Sequence, residues 1–160
     1  MNIFVLDIDP KTCAEYHCDK HVVKMILETA QLLCGAHHMT GSDAPYKLSH
    51  KNHPCSIWVR QNKSNYKWLV ELGLQLGAEY TRRYGKVHKS EEVVRWCARN
   101  IPNLPDGDMT ELPCAMPEAC QIYNDPVLNY REYYVREKAS FCTWKTQTPE
   151  WFMIAQKKIA

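Results

Sequence analysis

Residues 19–38 read DKHVVKMILETAQLLCGAHH. Val22, Val23, Ile26, Leu27, Ala30, Leu33 and Cys34 recur here at steps of three and four. That is the period of a helix laying one apolar stripe on a core. Lys20, Lys24, Glu28 and Gln31 recur at the same steps on the opposite, polar face. The spacing predicts a helix from Asp19 to His38, with Gly35 as a candidate stop.

The flanks repeat the helical theme. Upstream, Ile3, Phe4, Val5 and Leu6 form a short strand or an extended entry segment, and Asp9-Pro10 caps a helix running to about Tyr16. Downstream, residues 39–52 read as loop. His53-Pro54 opens a long helical stretch from about Cys55 to Tyr84. It buries Ile57, Trp58, Trp68, Leu69, Leu72, Leu76 and Tyr80, breaks near Asn62 to Asn65 and stops at Gly85. Ser90, followed by Glu91 and Glu92, starts a short helix to about Asn100, with acids at its positive end. Pro102, Pro105, Pro113, Pro117 and Gly107 make residues 101–118 an irregular connection of the kind kept for function. Asp125-Pro126 opens a helix to about Phe141, and an aromatic tail with Pro149 closes the chain. The fold class is all-α: a compact single-domain helical fold with a long proline-rich loop.

Composition sets the outer limits. The chain has 160 residues, 45% hydrophobic and 24% charged, which excludes a disordered polymer. It is long enough to bury roughly two-thirds of its unfolded surface. No apolar run approaches the ~18 residues of a membrane span. The first nine residues lack a basic region and a small-residue cleavage site, so a cytoplasmic protein is expected. Eight cysteines without any Cys-x-x-Cys pair read as reduced, mostly buried thiols. The net charge is +2, unevenly spread: −3 over residues 1–46, +7 over 47–90 and −2 over 91–160. A basic third inside a near-neutral chain suits a polyanionic partner, or equally a solvated lysine-rich face.

Four constellations carry possible chemistry. His21, Lys24, Glu28 and Gln31 share one face of the 19–38 helix, His21 and Glu28 being ~10 Å apart along its axis. Lys24, one turn before Glu28, keeps that carboxylate ionised, and an ionised carboxylate beside a sugar stabilises the charge that builds as a glycosidic bond breaks. The same residues also read as a solvent-facing Lys–Glu pair. Cys18, His21, His50 and His53 offer a possible zinc set, though at no established zinc spacing, against structural thiols and histidines. Arg82, Arg83 and Lys86, interleaved with Trp58, Tyr66, Trp68, Tyr80 and Tyr84, suit phosphates and stacked bases, or a core with solvated cations. Tyr130-Arg131 grips a phosphate or pairs inside the fold.

Asp19-Lys20-His21-Val22, with Glu28 nine residues after the aspartate, resembles the phage pyrimidine dimer DNA glycosylases, which carry an Asp-x-His pair and then a catalytic glutamate at the same offsets. The bacterial branch of that superfamily is similar along nearly the whole chain. Its features are matched by Met1-Asn2-Ile3-Phe4, by Lys24, Glu28 and Gln31, by Asn52-His53-Pro54 with Trp58, and by Asp125-Pro126 with Tyr130-Arg131.

The resemblance implies an all-helical domain that binds double-stranded DNA, flips out a nucleotide and cleaves the N-glycosidic bond of a damaged or modified pyrimidine. It also implies strand scission by AP-lyase chemistry through an N-terminal amine, without metal or other cofactor. Carried over, Glu28 stabilises the sugar and supports β-elimination, His21 and Lys24 assist, and the amine is that of Met1, because methionine is retained before a residue as large as Asn2. Gln31, Lys20, Asn52, His53, Arg82, Arg83, Lys86, Tyr130 and Arg131 contact DNA. The arginines that surround the family's glutamate read as Lys24 and Ile26 here. Two readings of another class stand beside this one: a non-catalytic nucleic-acid or protein-binding module on the same fold, and a zinc-dependent base enzyme built on Cys18, His21, His50 and His53.

Overall fold

Among residues 1–159, which the computed structural model of the chain describes, the regular elements are helical and there is no strand. The first eight residues are irregular, with a tight turn from the Phe4 carbonyl to the Leu6 N–H, and Asn2 to Leu6 are buried. Asp9 accepts from the Thr12 N–H at 3.0 Å and caps α1 (Pro10–Tyr16). Helix α2 (Asp19–His38) runs through Gly35 rather than stopping there. Its end comes at Thr40, whose hydroxyl turns back to the Ala36 carbonyl, and at Gly41, which has φ 84°.

The buried side of α2 is rotated from the expected stripe. Val22, Met25, Ile26, Thr29, Ala30, Leu32 and Leu33 are buried, whereas Val23 and Leu27 are exposed. Glu28 is buried instead, because the N-terminal segment lies beside it. Hydrophobic spacing reports the helix period but not which chain segment covers its polar face.

The long stretch after residue 53 divides into α3 (Pro54–Val59) and α4 (Lys63–Tyr84). Asn62 starts α4 by accepting from the Asn65 N–H at 2.9 Å, and Gly85, at φ 71°, ends it. Helix α5 (Glu91–Arg99) follows. Helix α4 is the hub of the fold, packing on α1, α2, α3 and α5. It comes close to α2 and α5 through Gly73, where a Cβ would stand 2.8 Å from Val94 Cγ1 and 3.0 Å from Thr29 Cγ2.

Between α5 and the next helices, residues 100–117 are irregular, as expected, but held to the α3–α4 junction. Trp58 Nε1 donates to the Thr110 carbonyl at 3.1 Å, and Asn62 Nδ2 to the Asp108 carbonyl at 3.0 Å. Asn65 Nδ2 donates to Thr110 Oγ1 at 2.9 Å.

Helix α6 (Pro126–Tyr133) ends earlier than its sequence predicts. It widens into a π-helical turn over Tyr134–Lys138. A last helix, α7 (Glu150–Ile159), lies where only an aromatic tail is expected. Two arginine contacts bind these distant parts together. Arg131 Nε donates to the Leu6 carbonyl at 2.9 Å and stacks on Tyr16 and Trp151. Arg83 spans α4, α1 and α2.

Candidate active site

The N-terminal segment delivers the Met1 amine to the flank of α2, 3.1 Å from Glu28 Oε1. The Met1 side chain is only 2% exposed. Lys24 Nζ lies 3.8 Å from Glu28 Oε2, one turn earlier on the helix, and is open to solvent. A buried carboxylate thus sits between the α-amine of a half-buried Met1 and an exposed lysine. Such a pair is stable only where its geometry is good, and here the amine is within hydrogen-bond range.

His53 borders this pair at the start of α3. Its Nδ1 accepts from the Cys55 N–H at 3.0 Å, which leaves the Nε2 as the N–H of a neutral ring. Burial holds its pKa below that of an ordinary histidine. The positive charge of the Met1 amine adds to this, and Glu28 opposes it. Cys55 is fully buried, and burial pushes its thiol up to about 12.

The residue next to the amine is equally constrained. Asn2 Oδ1 accepts from the Ile3 N–H at 2.7 Å and from the Tyr130 hydroxyl at 2.9 Å. Asn2 Nδ2 donates to the Ala115 carbonyl at 2.9 Å. The irregular 100–117 connection therefore reaches the site through Ala115.

His21 sits two turns before Glu28 on α2, in an aromatic box. Its Nδ1 is 2.7 Å from the Tyr134 hydroxyl, and its ring lies 4.4 Å from Phe4 and 5.6 Å from Phe141. Burial lowers its pKa to about 3, with His17, Lys138 and Lys24 adding to the effect. The same Tyr134 hydroxyl accepts from the Cys18 N–H, the first residue before α2. His21 is therefore a neutral ring locked between the N-terminal segment and the π turn.

The other expected contact residues divide into two groups. Lys20, Lys24 and Asn52 are exposed, and Gln31 is half-buried in a surface pocket with Leu27, Tyr46, Lys47, Leu48 and Ser49. Lys86 and Arg82 are exposed as well, although Arg82 folds back onto Glu79.

Arg83 and Tyr130 are buried, contrary to expectation, and Arg131 is half-buried and engaged inside the fold. The Arg83 side chain is 0% exposed, pairing with Glu79 and Asp19. Tyr130 is buried beneath Asn2. Arg131 is used by Leu6 and Asp7. In each case a carboxylate or carbonyl far away in the chain claims the group.

The zinc reading is also corrected. Among the described residues no group of three or more His, Cys, Asp or Glu could hold a metal ion. His21 Nδ1 is taken by Tyr134, His50 Nδ1 by Ser49 and His53 Nδ1 by Cys55.

Asn2, Tyr134 and the Ala115 carbonyl are the participants that sequence reasoning missed. Asn2 carried one signal, as the lone polar residue in the apolar run from Met1 to Leu6. Tyr134 carried only its place in the tyrosine-rich stretch with Tyr130, Arg131 and Tyr133, and Ala115 carried none, since their roles rest on contacts across more than 100 residues.

A family model described as pyrimidine dimer DNA glycosylase matches residues 1–92. No curated protein and no solved structure matches the chain.

Proposed function

The chain belongs to the pyrimidine dimer DNA glycosylase family, a membership that supports DNA glycosylase-type activity, and on that premise we propose that it excises a damaged or modified pyrimidine through the Met1 amine. The observation that carries this reading is the Met1 α-amine 3.1 Å from the carboxylate of Glu28, a buried residue.

The chemistry follows from those two groups. An ammonium is not a nucleophile, so its proton passes to Glu28 as the nitrogen approaches the sugar. The nitrogen bonds to C1′. The C1′–base bond breaks, and the base leaves with the electron pair and takes up a proton. The second amine proton then passes to O4′ as the C1′–O4′ bond opens, the nitrogen lone pair forms the C1′=N bond, and a protonated Schiff base results. Removal of a C2′ proton then expels the 3′ phosphate by β-elimination, and water releases the amine. Glu28 is placed to take and return protons at the amine, and when ionised to stabilise the cationic sugar. Neutral His53, beside the pair, donates from Nε2 to a sugar or phosphate oxygen.

The proposed DNA-facing surface is the α2 edge that bears Lys20 and Lys24, together with Lys47, Lys51, Asn52 and His53. All of these are exposed except His53, which is half-buried. His21 and Tyr134 support the floor of the site from inside. Flipping a nucleotide costs a few kcal/mol, least at a damaged pair, which favours lesions over intact DNA.

Borohydride trapping on labelled duplexes tests the reading. The panel holds an abasic site, a cyclobutane dimer and modified pyrimidines. Wild type is expected to form a covalent adduct that maps to the Met1 peptide, and the substrate that gives it identifies the base. Glu28→Gln is expected to slow trapping by about 10²–10³-fold, the range for losing one electrostatic stabiliser, with DNA affinity unchanged or higher. Folded protein that shifts DNA in a gel yet traps on no duplex would overturn the amine mechanism and leave a binding module.

A further inference from the structure

We infer that Asn2 and Tyr130 form a positioning strut that aims the Met1 amine, an inference that rests on the amine reading above. A chain terminus is ordinarily the least ordered part of a domain. Here it is fixed at both ends of its first residue. The Met1 side chain is buried, and the next residue is held by four polar contacts.

The strut's hydrogen bonding is closely accounted for. Asn2 Oδ1 faces the Ile3 N–H at 2.7 Å, the Tyr130 hydroxyl at 2.9 Å and the Cys55 thiol at 3.6 Å. Asn2 Nδ2 spends a donor on the Ala115 carbonyl. The Tyr130 hydroxyl accepts from the Ala115 N–H at 3.1 Å, and its single proton is shared between Asn2 Oδ1 and the Pro113 carbonyl, both at 2.9 Å. Leucine and phenylalanine would fill the same volumes without the cost of burying polar groups. A core position alone gives no reason for this network.

Geometry supplies the reason. Only the Met1 backbone separates the Asn2 peptide from the amine. Fixing that peptide fixes the nitrogen within hydrogen-bond range of Glu28. A displaced nucleophile loses the advantage of prepaid orientation, and an error near 1 Å can cost on the order of 100-fold. Asn2 and Tyr130 touch neither substrate nor reacting atoms, so they are positioning residues. They also tie the site to the 100–117 connection, because the Ala115 peptide engages both of them.

The test is single-turnover trapping on an abasic duplex across a range of DNA concentrations. It compares wild type, Tyr130→Phe, Asn2→Leu and protein acetylated at the Met1 amine. Tyr130→Phe removes one oxygen and keeps the ring. The expected result is a maximal trapping rate at least about tenfold lower than wild type, with the half-saturating DNA concentration unchanged and a folded protein by thermal melting. Asn2→Leu, which keeps methionine ahead of it, is expected to behave alike and serves as the readout if Tyr130→Phe does not fold.

Wild-type trapping with both variants within about twofold of it would overturn the strut while leaving the amine reading intact. Acetylated protein that traps as fast as wild type would overturn the amine reading, and the strut with it.

Discussion

Arg83 shows how a single guanidinium can be withdrawn from solvent and still be satisfied. Its Nε is 2.9 Å from Glu79 Oε2, its Nη1 3.1 Å from Asp19 Oδ1, and its other donors reach the His17 and Glu15 carbonyls. Removing one partner of a buried pair strands the other. Arg83→Met is expected to lower stability by about 3 kcal/mol, the lower end of the usual range because Arg82 still reaches Glu79. Urea denaturation measures it, and the salt dependence of DNA binding should not change. Lys24→Ala or Lys51→Ala should do the reverse: stability nearly constant, and the slope of log affinity on log salt smaller by about one each. A residue type alone does not separate these fates. Glu28 was legible because its offset from Asp19 and His21 is a local pattern. The burial of Arg83 and Tyr130 and the internal pairing of Arg131 were not, because their partners are set by tertiary contacts.

Helix–helix contact in this fold is governed by α4. Its Gly73 lies under Val94, a β-branched side chain on α5 that has little room to turn. A methyl group there overpacks the seam, so Gly73→Ala is expected to cost about 1–3 kcal/mol, read as a fall in the denaturation midpoint. Caps and stops were the most readable features. Asp9-Pro10, His53-Pro54, Asp125-Pro126 and Gly85 each mark a boundary through chemistry within one turn. The π turn at Tyr134 left no such mark. A π turn of this kind often sits at a functional site, and this one carries the hydroxyl that His21 and Cys18 share. Helix α7 was illegible for another reason: its pattern mixes Trp151 and Phe152, packed on the fold, with exposed Met153, Ile154 and Ile159.

For the molecule as a whole, buried histidines shape the response to acid, His17 and His21 most strongly. Burial lowers His17 to about 4 and His21 to about 3. Below their ordinary value near 6.5, the unfolded chain binds protons that the folded chain refuses. Stability therefore rises with pH through that window and falls on acidification. The two sites together should remove roughly 3 kcal/mol between pH 7.5 and pH 5.5, where most carboxylates remain ionised. Urea midpoints at the two pH values check it, and equal midpoints would refute it. The all-α class was legible from periodicity, whereas the route of the N-terminal segment across the molecule was not.

That route also has a consequence in time. Met1 and Glu28 come early in the order of synthesis relative to residues 115 and 130, to which Asn2 bonds. A growing chain cannot form these contacts until residue 130 has emerged. Synthesis thus runs opposite to assembly: a segment made early is held in place only by residues made late.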